Sequence, residues 1–316
     1  MEFRLLIKSF AFVLLVVFGI PGNICIVIKF LHIRILEKKL LPTNTILMTL
    51  SVVNIFVLLS RVMLQALNTI GLENILNDGE CKLFIFTFRV SRAMSICVTS
   101  LLSCHQCILI APVNKKWKYL KQIVNPNVSI ILAMLLGMNM SLYPSGILYG
   151  RAQSNDTLSP FTLRLAYCDV DFLNYLTYII NGLVYVVREI IFVGLMILSS
   201  TYIVYVLHNH GKAMKGKRSS DKVQNKTIEF KASKAVIMLV IMYALLFGMD
   251  NCMWIYTITM SNVGSDVSDT RLFLAASYAV LSPYLIFATN PKVNQGFKNP
   301  FRRQRIERKN RHFLST

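Results

Sequence analysis

Apolar residues run along this chain in seven long blocks separated by short polar stretches. A bilayer core of about 30 Å is crossed by roughly 20 helical residues at 1.5 Å each, and every block is long enough. The predicted spans are Leu5–Leu31, Thr43–Leu67, Leu83–Ile110, Ile123–Leu148, Tyr178–Leu207, Ala235–Thr259 and Leu272–Thr289. Backbone N–H and C=O groups in hydrocarbon must bond within their own segment, so each span is expected to be a helix. The blocks lack the two-residue alternation of outer-membrane barrel strands. The fold class is therefore all-α, a seven-transmembrane helix bundle. The first block follows Arg4 and Lys8 in the manner of a signal peptide. Its apolar stretch from Ser9 to Leu31 is too long for a signal core, and the Lys29–Lys39 segment behind it reads as a stop-transfer flank, so it is read as a retained span.

The polar stretches set the orientation. Arg34, Lys38 and Lys39 lie in the first connection, and Lys115, Lys116, Lys118 and Lys121 in the third. Eight basic residues fall between Lys212 and Lys234, and eight more between Lys292 and Arg311. All of these sit on one side of the predicted bundle. The opposite side holds Arg4, Lys82, Arg151, Arg164 and Arg271, together with acids such as Glu73, Asp78, Glu80, Asp156, Asp169, Asp171, Asp266 and Asp269. The positive-inside rule places the basic side in the cytosol, with the amino terminus outside and the carboxyl terminus inside.

Composition narrows the organisation. Hydrophobic residues make up 54% of the 316 and charged residues 16%, against roughly a quarter charged in soluble domains. No polar region remains for a second domain. The expectation is one membrane domain over 1–291 and a basic cytoplasmic tail over 292–316. The net charge of +19 would suit nucleic acid, but its placement assigns it to topology and to anionic inner-leaflet lipid. Membrane lipid is thus an expected partner and nucleic acid is not.

Two polar signals agree with this topology. Of the Asn-x-Ser/Thr sequons at Asn127, Asn139, Asn155 and Asn225, Asn155 alone lies in an outer loop with room for a glycan. Asn139 falls within a span, and Asn127 and Asn225 fall on the cytosolic side. Five cysteines lie within spans, and the other two, Cys81 and Cys168, both lie on the oxidising outer side. They are either a bridge that ties the second outer loop over the third span or two free thiols. No Cys/His cluster has zinc spacing, so neither metal nor cofactor is expected.

Longer patterns resemble a known family. Gly22-Asn23, the Cys81 and Cys168 pair and Ser282-Pro283-Tyr284 are similar to features of rhodopsin-like G-protein-coupled receptors. The second span, from Leu41-Pro42-Thr43-Asn44 through Leu50-Ser51-Val52-Val53-Asn54 to Leu58-Leu59-Ser60-Arg61, resembles the vomeronasal type-1 pheromone receptors and their fish olfactory class A-related members. So do Phe88-Arg89-Val90-Ser91-Arg92, Cys97-Val98-Thr99-Ser100-Leu101-Leu102-Ser103, Gln106, Ala111-Pro112 and Trp117-Lys118. Arg188-Glu189, Val193-Gly194-Leu195-Met196 and Tyr205-Val206-Leu207-His208 extend the likeness into the fifth span. Departures from the broader class fit that branch. His105-Gln106-Cys107 stands where other receptors carry Asp-Arg-Tyr, Asn54 stands for the sodium-site Asp, and the sixth span lacks Cys-Trp-x-Pro. Glu189 replaces the Asp of mammalian members, which suggests a fish-type or outlying member. Bitter taste receptors also lack Asp-Arg-Tyr, but the outer cysteine pair disfavours them.

Ionisable side chains at mid-span are costly and usually face the bundle interior. Arg89 and Arg92 are three apart and share a helix face, at the depth of a bundle pocket. Arg188 and Glu189 lie in the outer half of the fifth span, Asp250 and Asn251 in the centre of the sixth, and Arg61 in the second. One reading has these residues bind a small molecule, with Arg89 and Arg92 holding a carboxylate or sulfate by forked hydrogen bonds. The other is an internal ion-pair network, Arg92–Glu189 or Arg188–Asp250, that locks helices together. Tyr143, Tyr178, Tyr185, Phe88 and Phe247 are candidate apolar walls.

The expected function is a multi-pass plasma-membrane chemosensory receptor for an odorant or pheromone. The resemblance implies a heterotrimeric G-protein partner of the inhibitory type. His105, Gln106, Lys115, Lys116 and Lys212 are the candidate coupling residues. A small-solute transporter or channel would use the same buried charges, but there is no internal repeat with paired interrupted helices. Catalysis is not expected: His-Glu-x-x-His and Gly-x-Ser-x-Gly are absent, and the five histidines are scattered.

Overall fold

The structure, a computed structural model, describes residues 2–38, 40–72, 76–112, 115–152, 162–165, 167–172, 174–214, 236–253, 256 and 265–289. Among these, seven helices are long and apolar enough to cross a membrane: Leu5–Leu36, Pro42–Thr69, Asp78–Ile110, Lys115–Tyr149, Tyr175–Val206, Val236–Met253 and Val267–Ala288. They are called the first to seventh helices below. The fourth is interrupted at Tyr143 and Pro144 and resumes as a short turn, Ser145–Tyr149.

Several helices run past the predicted spans. The third begins at Asp78 rather than Leu83, the fourth at Lys115 rather than Ile123, and the seventh at Ser265 rather than Leu272. Hydropathy marks where hydrocarbon begins, whereas helical hydrogen bonding continues through polar turns at the headgroup level. The third helix shows the local reason. The Glu80 carboxylate accepts the Asn77 backbone N–H at 2.9 Å, closing half of a capping box. Pro42 occupies the first turn of the second helix, where its missing N–H costs no hydrogen bond.

The third helix is the axis of the bundle. In its most apolar window 72% of residues are buried, against 17% in the fourth and 22% in the fifth. The outer helices thus spend most of their apolar surface on lipid, which explains the many exposed Leu, Ile and Phe side chains. One end of the bundle carries a three-stranded antiparallel sheet in the order β1 (Gly150–Ala152), β3 (Cys168–Asp171), β2 (Thr162–Arg164). A disulfide joins Cys168 of β3 to Cys81 of the third helix. The Ala152 N–H donates to Asp78 Oδ1 at 2.6 Å, a second tie between sheet and helix. Tyr167, Val170 and Phe172 are buried with Leu64 and Ile85 below them, so the sheet is a packed lid.

Polar side chains join the helices inside the bundle. Pro283 has no N–H, so the carbonyl of Ala279 four residues earlier loses its helical donor. Asn23 Nδ2 donates to that carbonyl at 2.9 Å and to Gly19 O at 2.8 Å, which fastens the first helix to the seventh. Asn54 donates to Ser282 Oγ at 2.8 Å and accepts from Ser95 Oγ at 3.0 Å, joining the second, third and seventh helices. Thr99 Oγ1 and the Tyr278 hydroxyl lie 2.7 Å apart. Between Leu58 and Val62 the second helix widens into a π turn. Asn155, the basic stretch at 215–235 and the tail over 292–316 lie outside the described residues.

Close approach of helices is allowed by glycine at one seam. A Cβ on Gly19 would stand 2.7 Å from Leu58 Cδ1 and 2.8 Å from Val280 Cγ2. Gly19→Leu should therefore lower stability by about 1–3 kcal/mol through overpacking. Gly194, with nothing within 4 Å of the added carbon, should accept Ala with no loss. Thermal unfolding of the two variants in detergent checks the contrast.

Candidate functional site

Beneath the lid lies a cavity of about 210 Å³. Its roof is formed by Tyr167, Cys168, Val170 and Phe172, and its sides by the second, third, fourth, fifth, sixth and seventh helices. Five arginines line it, Arg61, Arg89, Arg92, Arg188 and Arg271, with two carboxylates, Glu189 and Asp250. Phe88, Tyr143, Tyr178 and Tyr185 supply aromatic wall, as expected; Phe247 instead lines a smaller space below, beside Asn54 and Tyr278.

The carboxylates organise the arginines. Asp250 of the sixth helix pairs through Oδ2 with Arg92 Nη2 of the third. Its Oδ1 accepts from Arg271 Nε of the seventh at 3.2 Å. Glu189 of the fifth lies 3.9 Å from Arg92 Nε and 3.5 Å from Arg188 Nη2. One connected set of charges therefore spans the third, fifth, sixth and seventh helices. The expected Arg92–Glu189 contact is present, though at the limit of an ion pair. The expected Arg188–Asp250 contact is not formed. Arg188 and Glu189 are consecutive, so they point about 100° apart around the helix. Arg188 turns toward the fourth helix, donates to Asn139 Oδ1 at 3.1 Å and lies over the Tyr143 ring at 5.4 Å.

Arg89 takes a separate course. Its Nη1 donates to Ser145 Oγ at 2.7 Å, and Ser145 donates to Asn181 Oδ1 at 2.8 Å. The Arg89 guanidinium also lies over the Tyr185 ring at 5.5 Å. Tyr185 stacks on Tyr143 with centroids 4.7 Å apart. Asn251 lines the cavity while its amide donates to Phe247 O at 2.9 Å.

Two residues of this polar network are not among the candidates that the sequence offers. Arg271 counted there as an outer-loop topology charge, but the seventh helix starts early enough to hold it inside the bundle. Asn139 counted as a chance sequon; its side chain is fully buried and bonded to Arg188. A lone amide in the apolar run from Ile130 to Leu142 was the available signal, because such groups usually bond across helices.

The candidate coupling residues lie at the end of the bundle away from the lid, and not all are at its surface. Lys115 and Lys116 are exposed. His105 and Gln106 are buried, at 1% and 3% exposure. His105 Nε2 lies 3.0 Å from Asn125 Oδ1, and Nδ1 lies 3.4 Å from Thr43 Oγ1, so the ring joins the second, third and fourth helices. Lys212 lies in the last turn of the helix Tyr175–Met214, and its side chain is outside the described set.

Comparison with known proteins gives this geometry its setting. The fold is similar to that in the crystal structure of squid rhodopsin, with a TM-score of 0.71 over 95% of this chain and 86% of that one, at 15% identity. That likeness is one of fold. In sequence the chain is 37% identical to olfactory receptor class A-like protein 1 of Danio rerio over 93% of its own length and 92% of the relative's. It is 24% identical to vomeronasal type-1 receptor 2 of Homo sapiens, over 87% of this chain and 70% of that one. Residues 7–299 match the profile of the vomeronasal organ pheromone receptor family. With its seven membrane helices and the lid disulfide, the chain belongs to that family, as a multi-pass plasma-membrane chemosensory receptor of the G-protein-coupled class.

Proposed function

We propose that the lidded cavity binds a small anionic molecule from outside the cell and that binding activates a heterotrimeric G protein on the cytosolic side. The supporting observation is the charge count, five arginines against two carboxylates around one cavity. Water-poor surroundings strengthen each uncompensated charge, and guanidinium forks suit carboxylates and sulfates. Arg89, Arg92, Arg188, Glu189, Asp250 and Asn251 form the ligand site. The tyrosines and Phe88 cover the ligand's apolar body.

The ionic set also supplies a way to transmit binding. Asp250 holds the sixth helix to the third through Arg92 and to the seventh through Arg271. A ligand acid that competes with Asp250 for these guanidiniums favours the arrangement in which the sixth helix is released. Only such differential affinity shifts a population. Release of the sixth helix opens a groove between it and the third and fifth at the cytosolic end. Lys115, Lys116 and Lys212 border that groove, and His105 and Gln106 hold the helix ends that shape it. The G protein is of the inhibitory type, and the basic tail rests on anionic inner-leaflet lipid.

Two outcomes follow. In cells expressing the receptor with an inhibitory-type G protein, aromatic and aliphatic acids lower cyclic AMP and their amides do not. Arg92→Ala raises the half-maximal acid concentration by about tenfold or more, the value of a lost charge-assisted hydrogen bond. Unaltered potency would remove Arg92 from the site. Separately, Asp250→Asn raises ligand-independent nucleotide exchange by about fivefold, equivalent to about 1 kcal/mol of bias. Exchange in membranes reconstituted with the G protein measures this, and an unchanged basal rate would contradict the latch.

A further inference from the structure

The arginines of the cavity are not equivalent. Asp250 engages Arg92 and Arg271, and Glu189 faces Arg92 and Arg188. Arg89 is held by Ser145 and the Tyr185 ring. Arg61 differs from all four. Among the described residues it has neither a carboxylate within ion-pair distance nor a hydrogen-bond acceptor; its one specific contact is the Phe88 ring, 5.2 Å from the guanidinium carbon. Arg271, Arg89 and Arg92 act on it with like charge, and Asp269 is the carboxylate that opposes them. That carboxylate is already engaged by Lys8 Nζ at 2.7 Å and Gln65 Nε2 at 2.9 Å.

The local backbone accounts for its position. Arg61 lies in the π turn Leu58–Val62, which interrupts the α-helical Pro42–Val57 and Met63–Thr69 segments. A π turn inserts an extra residue and re-aims the side chains around it, and such turns are frequent at functional sites. Here Ser60 and Arg61 both line the cavity, but the Ser60 hydroxyl is turned back on the carbonyl of Phe56. Arg61 is thus the cation that the turn presents. Arg61 is half-buried, and a guanidinium partly withdrawn from water without a counter-charge beside it is costly, a cost that an incoming anion lowers. Guanidiniums already engaged by Asp250 or Glu189 must first exchange a protein carboxylate for the ligand's.

We propose that Arg61 is the anion-selecting residue of the cavity, holding the acidic group of a small organic acid between the second, third and seventh helices. This rests on the anionic-ligand reading above and adds to it the point of attachment. The acid lies against Arg61, the apolar body follows Phe88 toward Tyr185, and Arg92 receives the acid's second oxygen when the Asp250 pair opens.

The test uses the full chain in nanodiscs of zwitterionic phosphatidylcholine, so that an anionic lipid cannot fill the site. Thermal unfolding is followed against rising benzoate, benzenesulfonate and benzamide. The two acids should stabilise the wild-type receptor and benzamide should not. In Arg61→Gln the acid concentration for half-maximal stabilisation should rise about ten- to a hundredfold; Arg89→Gln, whose guanidinium Ser145 and the Tyr185 ring already hold, should raise it by less, and Lys115→Gln, at the far end of the bundle, should leave it unchanged. Arg61→Lys, which keeps the charge without the planar fork, should fall between wild type and Arg61→Gln. Acid stabilisation that survives in Arg61→Gln and vanishes in Arg89→Gln overturns the role of Arg61 and leaves the anionic ligand standing. A wild-type receptor indifferent to both acids overturns both. If Arg61→Gln does not fold, Arg61→Lys decides, and a response equal to wild type overturns the assignment.

Discussion

Asp250 lies between two guanidiniums on two different helices, and the arrangement of the cavity follows from that contact. A carboxylate at that depth is costly to bury alone. Arg92 and Arg271 compensate it, and in doing so they set the separation of the third, sixth and seventh helices. Glu189 adds the fifth helix through Arg92 and fixes Arg188, whose free fork reaches Asn139 on the fourth. Five helices are thereby positioned by a handful of ionic and charge-assisted contacts. Apolar packing alone would not do this in lipid, where hydrocarbon outside the bundle competes equally for leucine side chains.

The remaining seams are made by contacts outside that network. Asn23 and the Ala279 carbonyl bind the first helix to the seventh, and Asn54, Ser95 and Ser282 bind the second and third to the seventh. The disulfide and the Asp78 contact bind the lid to the third. The sixth helix is tied to the third and the seventh by the ion pairs of Asp250. In the proposed mechanism a ligand that weakens the Asp250 pairs acts on the sixth helix, while the lid and the first three helices keep the cavity's shape.

Most of the fold was legible in the chain. Seven apolar blocks, the basic cytosolic-type connections and the two cysteines outside the spans lead to the bundle and to the bridge now seen between Cys81 and Cys168. The family resemblance of the second, third and fifth spans agrees with the match over residues 7–299. Candidate site residues were partly legible, because a charge within an apolar block must face the interior, and Arg92, Glu189 and Asp250 do meet there. Pairing was not legible. Which arginine reaches which carboxylate depends on helix rotation and depth, quantities that hydropathy does not carry. Arg188 therefore met Glu189 and Asn139 instead of Asp250. Arg271 was misplaced for a different reason: the polar first turn of the seventh helix reads as loop. Arg61 stood out as a mid-span charge, but the π turn that aims it leaves no trace in periodicity.

The most direct measurement is a double-mutant cycle of Arg92→Gln and Asp250→Asn in the thermal stability of the purified receptor. Arg92→Gln leaves Asp250 with Arg271 alone and Asp250→Asn leaves Arg92 with Glu189 alone, and the double change removes both members of the pair. A double variant more stable than the sum of the single losses by about 1.5–3 kcal/mol is expected for a coupled pair. Losses that simply add would contradict the claim that Asp250 and Arg92 hold the bundle together.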